Sequence, residues 1–123
     1  EMCIRDSPAC DRIYYTGLDP ESDSYAIQVK QAKGFGSLIS FELNESYNLE
    51  AFLKALKVFD LAVSLGGVES LICLPATMTH EDYAPELLHQ IGIKSNLLRI
   101  AIGIEGTEDL KEDLRQAFEA AKI

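Results

Sequence analysis

Residues 97–104, LLRIAIGI, are apolar at nearly every position. A run this continuous and this short predicts a strand inside a sheet: the two-residue period of a surface strand is missing, and the length falls far below that of a membrane span. The exception that matters is Arg99, a guanidinium inside that strand. A buried strand needs flanking strands and covering helices, and the rest of the sequence provides both. GSLISFEL (36–43) alternates Leu38, Ser40 and Glu42 against Ile39, Phe41 and Leu43, which predicts a strand with one buried face. RIYYTGLDP (12–20) reads as a short extended segment ending in a turn. LAVSL (61–65) and ESLICLP (69–75) read as two short strands or extended segments around Gly66 and Gly67. Tyr25, Ala26, Val29 and Ala32 recur at helical spacing, with Gly34 as a stop. Leu49, Phe52, Leu53, Leu56 and Phe59 predict an amphipathic helix, and residues 82–91 predict a short one stopped at Gly92. The last helix, capped by Thr107, is expected to bury Leu110, Leu114, Phe118 and Ala121 and to turn its acidic residues to solvent. No repeat or linker divides the chain, so one α/β domain with interleaved strands and helices is expected.

Composition narrows the class of function. A chain of 123 residues, 47% hydrophobic and 25% charged, holds one domain with a real core rather than a disordered tail. Twenty acidic against eleven basic residues give a net charge of −9. Such a surface repels phosphates, so neither nucleic acid nor a membrane is an expected partner. Cys3, Cys10 and Cys73 are an odd set without paired CxxC spacing, which predicts neither a zinc site nor a disulfide scaffold and suits a reducing, cytoplasmic compartment. No secretory signal pattern is visible. The chain opens at Glu1 with the aperiodic stretch EMCIRDSPAC. Residues 1–8 are expected to be a non-native or disordered start left by a truncation, and residues 9–123 the domain proper.

Arg99 is the residue whose placement most needs a reason, because a guanidinium in an apolar strand is costly unless paired or facing a cleft. One reading is an edge-strand arginine that reaches water or pairs with Glu69. The other is a fork for a substrate carboxylate, whose two oxygens match the guanidinium. SLGG (64–67) sets the Ser64 hydroxyl beside a tight turn, Leu65, Gly66 and Gly67, where a ligand or a backbone approaches closely; a plain turn reads the same way. KGFG (33–36) is not a dinucleotide fingerprint, and no Walker loop occurs. His80 and His89 lack the HExxH spacing, so no metal site is expected, and Ser64 lacks a GxSxG elbow. On these grounds the domain holds no self-sufficient catalytic set.

Three segments in order, SLGGVESLICLPATMTH (64–80), IGI (91–93) and LLRIAIGIEGTEDLKEDLRQAF (97–118), resemble the C-terminal domain of the Cys/Met-metabolism family of pyridoxal-phosphate enzymes. That family includes cystathionine γ-synthase, cystathionine β- and γ-lyase and methionine γ-lyase. Its pattern runs SLGGxESL, then PAxMTH, then LxRxSxGIEDxEDLxxDLxxAL; here Ala101 replaces the usual serine and Gly106 the usual acidic residue. YYTGL (14–18), KGFGSLISFEL (33–43) and FLKALKVFDLA (52–62) extend the resemblance upstream to about Tyr14.

The resemblance implies the small C-terminal domain of a fold-type-I enzyme, a largely antiparallel sheet with helices packed on one side. It implies that Arg99 binds the substrate α-carboxylate, that Ser64 helps hold the same group, and that Leu65, Gly66 and Gly67 form the supporting turn. Fixing the carboxylate selects which Cα bond stands perpendicular to the cofactor's π-system, the orientation on which elimination or replacement at Cβ or Cγ depends. Pyridoxal 5′-phosphate is the implied cofactor, but none of the seven lysines lies in the family's Ser-x-x-Thr-Lys motif. The large cofactor-binding domain is expected to be missing, no catalytic residue lies in this segment, and the fragment alone should be inactive. The implied partners are an amino-acid substrate (cystathionine, activated homoserine, methionine or cysteine) and, at full length, copies of itself in a homo-oligomer, expected to be a tetramer. Val63, where cystathionine-handling members often carry glutamate, is the subfamily-determining position. Transsulfuration is the first expectation, and a member like methionine γ-lyase or O-acetylhomoserine sulfhydrylase the second. A ferredoxin-like amino-acid-binding regulatory module is the alternative from another class.

Overall fold

The continuous apolar run becomes the middle strand of a five-stranded sheet. A computed structural model describes residues 2–123, with side chains from Ile4 onward. In order, the chain forms α1 (Met2–Arg5), β1 (Cys10–Tyr14), α2 (Asp23–Gln31), β2 (Leu38–Leu43), α3 (Leu49–Ala55), β3 (Asp60–Leu61), β4 (Leu71–Cys73), one π-helical turn at Pro75–Thr79, α4 (Pro85–Gln90), β5 (Leu97–Ala101) and α5 (Thr107–Ala121). The strands lie in the order β1-β2-β5-β4-β3. β1–β2, β2–β5 and β5–β4 are antiparallel and β3–β4 is parallel, so the sheet is largely antiparallel, as the resemblance implies.

The period-two pattern of β2 does what it predicts: Ile39, Phe41 and Leu43 are buried and join Ile72, Leu98 and Ile100 in one core. α3 and α5 close that core. Phe52 stacks on Phe118 with ring centroids 4.9 Å apart, and Phe41 meets both edge-on at 6.3 and 6.2 Å. Burying aromatic side chains of this size removes about 150–250 Å² each from water, which makes this cluster the main apolar anchor between helices and sheet. The predicted stripe of α5, Leu110, Leu114, Phe118 and Ala121, is buried throughout.

Several expectations need correction. Residues 1–8 do not stand apart over their described part: Met2–Arg5 is helical, and Ile4 is 1% exposed inside the core. A hydrogen bond from the Asn44 amide to the Ala9 carbonyl, 2.7 Å, ties the end of this segment to the sheet. Burial of one isoleucine thus outweighs the lack of periodicity around it. Glu1 and the side chain of Cys3 lie outside the described residues. The first predicted helix forms as α2, capped by Ser22 accepting from the Tyr25 amide, but it buries none of its residues. α3 stops at Ala55, well short of Phe59. Gly106, not Thr107, is the N-cap of α5. Among the described residues no helix is long and apolar enough to cross a membrane.

Candidate functional site

Arg99 occupies the middle of β5, facing away from Leu98 and Ile100, with Ser40 of β2 and Cys73 of β4 in register on either side. A strand flanked on both sides is not an edge, which removes the edge-strand reading. The other partner considered, Glu69, makes no ion pair with it among the described residues. The guanidinium Nη2 instead donates to the backbone carbonyl of Val63 at 2.6 Å and to that of Ser64 at 3.4 Å. Arg99 Nε is buried and has no partner. An unpaired buried donor costs on the order of 1–3 kcal/mol, and more when charged, so this atom marks a position that a hydrogen-bond acceptor should fill.

The structure therefore brings together the residues singled out in the sequence: Arg99, Val63, Ser64, Leu65, Gly66 and Gly67. All of Val63 to Gly67 are exposed, and Gly66 has a φ of +74°, a conformation that glycine alone adopts without strain. The loop is pinned at its two ends. On entry, the Ala62 amide donates to the Ile72 carbonyl at 3.0 Å, continuing the β3–β4 pairing. On exit, the Ile104 amide donates to the Val68 carbonyl at 2.9 Å. Next to that exit the buried Ser70 donates from both its amide and its hydroxyl to the two carboxylate oxygens of Glu105, each at 2.7 Å, while its Oγ accepts from the Gly103 amide at 2.8 Å. These bonds hold the Glu105 carboxyl below the usual glutamate range. Between the pinned ends, Arg99 alone contributes hydrogen bonds to Val63–Gly67 among the described residues.

The cysteine beside Arg99 is not a nucleophile in waiting. Burial pushes the Cys73 thiol up, with the Arg99 charge pulling weakly the other way, and burial with help from Asp11 pushes Cys10 up to about 12. Both thiols stay protonated at neutral pH, and a thiol is a poor attacking group.

A cleft of about 620 Å³ lies elsewhere, lined by Glu42, Tyr47, Leu88, His89, Lys94 and Asn96 among others, and touches none of the predicted site residues. Two of its charged groups, Glu42 and Lys94, are committed to each other. Glu42, 3% exposed, accepts from Tyr14 Oη at 2.7 Å and from Lys94 Nζ at 2.6 Å. Burial raises its carboxyl pKa, but the bonds from Lys94 and Tyr14 outweigh burial and hold it below the ordinary range. The two-residue period places Glu42 on the open face of β2 and gives no sign of this burial.

Lys54, Lys94, Lys111 and Lys122 are each held by a glutamate. Lys94 and Lys122 are pushed up by those partners, whereas imine formation needs a free amine.

The family described as Cys/Met metabolism PLP-dependent enzymes matches residues 2–119, and the chain belongs to it. It is 47% identical over 119 residues to cystathionine gamma-synthase of Escherichia coli (strain K12), covering 96% of this chain and 31% of that protein. It is 46% identical over 113 residues to cystathionine beta-lyase of Lactococcus lactis subsp. cremoris, covering 92% and 30%. A crystal structure of cystathionine gamma-lyase from Lactobacillus plantarum complexed with L-serine superposes with a TM-score of 0.88 at 42% identity, over 96% of this chain and 31% of that one. The chain thus spans about 30% of the length of the relatives it matches. Family membership decides against the ferredoxin-like module.

Proposed function

We propose that this chain is the C-terminal part of a pyridoxal-phosphate transsulfuration enzyme, a cystathionine γ-synthase or cystathionine lyase, and that it grips the α-carboxylate of a sulfur amino acid. The observation that carries the reading is Arg99: a guanidinium on the middle strand, steadied by the Val63 and Ser64 carbonyls, with a buried Nε that lacks an acceptor. A carboxylate oxygen supplies that acceptor, and a charge-assisted pair is worth roughly twice a neutral hydrogen bond. The exposure of Ser64, whose carbonyl accepts from Arg99, supports a role for its hydroxyl as a second donor to the same group. What this chain does chemically is orientation: it fixes one end of the substrate so that the bonds at Cα are presented in one geometry. The cofactor and the groups that move protons belong to the remainder of such an enzyme. The family resemblance supports a homo-oligomer, a tetramer, in the cytoplasm; the net charge of −9 argues against nucleic acid and anionic membranes as partners.

Val63 favours a second reading of the substrate. Its carbonyl accepts from Arg99, and the residue is 49% exposed. A valine offers no charge to the distal ammonium group of cystathionine, which suits methionine γ-lyase or an O-acetylhomoserine sulfhydrylase-like member.

In the complete enzyme, Arg99→Ala should lower kcat/KM by on the order of a hundredfold, since two charge-assisted bonds of roughly 1.5–3 kcal/mol each are lost. Arg99→Lys keeps the charge but not the fork and should recover only part. Cofactor content should be unchanged in both. Unchanged kcat/KM in a folded, cofactor-loaded Arg99→Ala enzyme removes Arg99 from the site.

A further inference from the structure

We infer that Arg99 and the β3–β4 loop act as one coupled device, in which a carboxylate seated on the guanidinium orders residues 62–69 and the ordered loop in turn aims the guanidinium. The inference rests on the proposal that Arg99 receives the substrate carboxylate, and adds to it the loop backbone as a positioning element. Val63–Gly67 is exposed, and among the described residues its hydrogen bonds come from Arg99 Nη2 alone, through the carbonyls of Val63 and Ser64. The guanidinium is correspondingly half-fixed: Nη2 is held by the loop, while Nε is buried and open. An incoming carboxylate oxygen therefore adds a bond at Nε without displacing the loop from Nη2. Both sets of bonds share one rigid planar group, so each steadies the other. Thermodynamic linkage then requires the effect to run both ways: whatever loosens the loop must weaken carboxylate binding by the same factor that the carboxylate tightens the loop.

Glycine geometry supplies a clean way to loosen it. Gly66 has a φ of +74°, and a Cβ there would meet nothing within 4 Å. Gly66→Ala therefore disturbs the loop's backbone preference and touches no neighbour. Gly36, in the connection between α2 and β2, is a matched control, with a φ of +79° and equally open space, outside the β3–β4 loop.

The test uses the complete holoenzyme carrying this segment, with L-alanine as the carboxylate probe and L-alaninamide as the same probe without the anion. Gly66→Ala should weaken L-alanine binding roughly fivefold, the low end of measured couplings between sites, and leave L-alaninamide binding unchanged. Gly36→Ala should change neither. In the unsubstituted enzyme, saturating L-alanine should slow chymotrypsin cleavage after Leu65, and L-alaninamide should not. If Arg99→Ala abolishes the preference for L-alanine but Gly66→Ala behaves like Gly36→Ala, the coupling is refuted and the carboxylate site stands. Cleavage after Leu65 that ignores L-alanine refutes the coupling independently of any variant. If Arg99→Ala keeps the preference, the carboxylate site and the coupling fall together.

Discussion

Asp113 accepts hydrogen bonds from three consecutive backbone amides, Lys57 to Oδ1 at 2.8 Å and Val58 and Phe59 to Oδ2 at 2.7 and 3.1 Å, with Gln116 Nε2 adding a fourth at 3.0 Å. It is 4% exposed. These bonds turn the chain out of α3 after Ala55 and direct it into β3. Burial pushes the Asp113 carboxyl up, but the amide donors outweigh burial and hold it below its ordinary value of 3.8. A folded pKa below the unfolded one means that the stabilisation is fully present above about pH 4 and is lost as pH falls through the lower, folded value. Asp113→Asn should cost about 1.5–3 kcal/mol at pH 7, because one acceptor oxygen becomes a donor facing N–H groups. The gap between variant and parent in urea midpoint should narrow below pH 4; a gap that is constant from pH 7 to pH 3 refutes this account. The sequence conceals this role: an aspartate on a helix rich in acidic residues reads as part of its solvated face. Arg99 is legible for the opposite reason, since a charge inside an apolar run is an anomaly before any partner is known. Its tether is not legible, because backbone carbonyls carry no sequence signature.

Among the elements, those whose burial is written in their own apolar pattern, periodic in β2 and α5 and continuous in β5, are the ones sequence locates. The ones it misplaces are set by contacts from afar. α3 ends where Asp113 takes over, and the Pro75–Thr79 π-turn has no pattern of its own. α2 lies where its spacing predicts, formed on propensity and capping, but buries nothing. β3 and β4 read as short strands about a pair of glycines; they prove to be parallel neighbours, joined by a loop that arches to Arg99. Gly103, just past β5, fixes how closely that loop can return. A methyl group there would collide with the backbone at Val68 and Glu69, beside the Ser70–Glu105 bonds. Gly103→Ala should destabilise the fold by roughly 1–3 kcal/mol through overpacking against main chain that cannot rotate aside. Urea unfolding monitored by far-UV circular dichroism reads this directly, and a midpoint equal to that of the parent would show that the loop is free to yield.

At the scale of the whole molecule, the proposed carboxylate grip has no Ser-x-x-Thr-Lys motif beside it in this sequence. Mixed alone with pyridoxal phosphate, the 123-residue chain should give no stoichiometric, borohydride-trappable adduct at a single lysine, since four of its lysines are tied to glutamates and none lies in the family's Ser-x-x-Thr-Lys motif. A single trapped lysine, mapped by mass spectrometry, would overturn that expectation. The sheet order has a further consequence, for synthesis. β5 lies between β2 and β4, yet it is the last strand to leave the ribosome. Until Ala101 has emerged, the nascent chain holds a β1–β2 pair and a β3–β4 pair with nothing between them, each presenting an unfilled edge. The core cannot close until α5 follows. Pairings so distant along the chain make for slow folding, and unfilled edges invite pairing with a neighbouring chain. A nascent polypeptide of this topology therefore has an interval, from β2 to β5, during which a chaperone has most to protect.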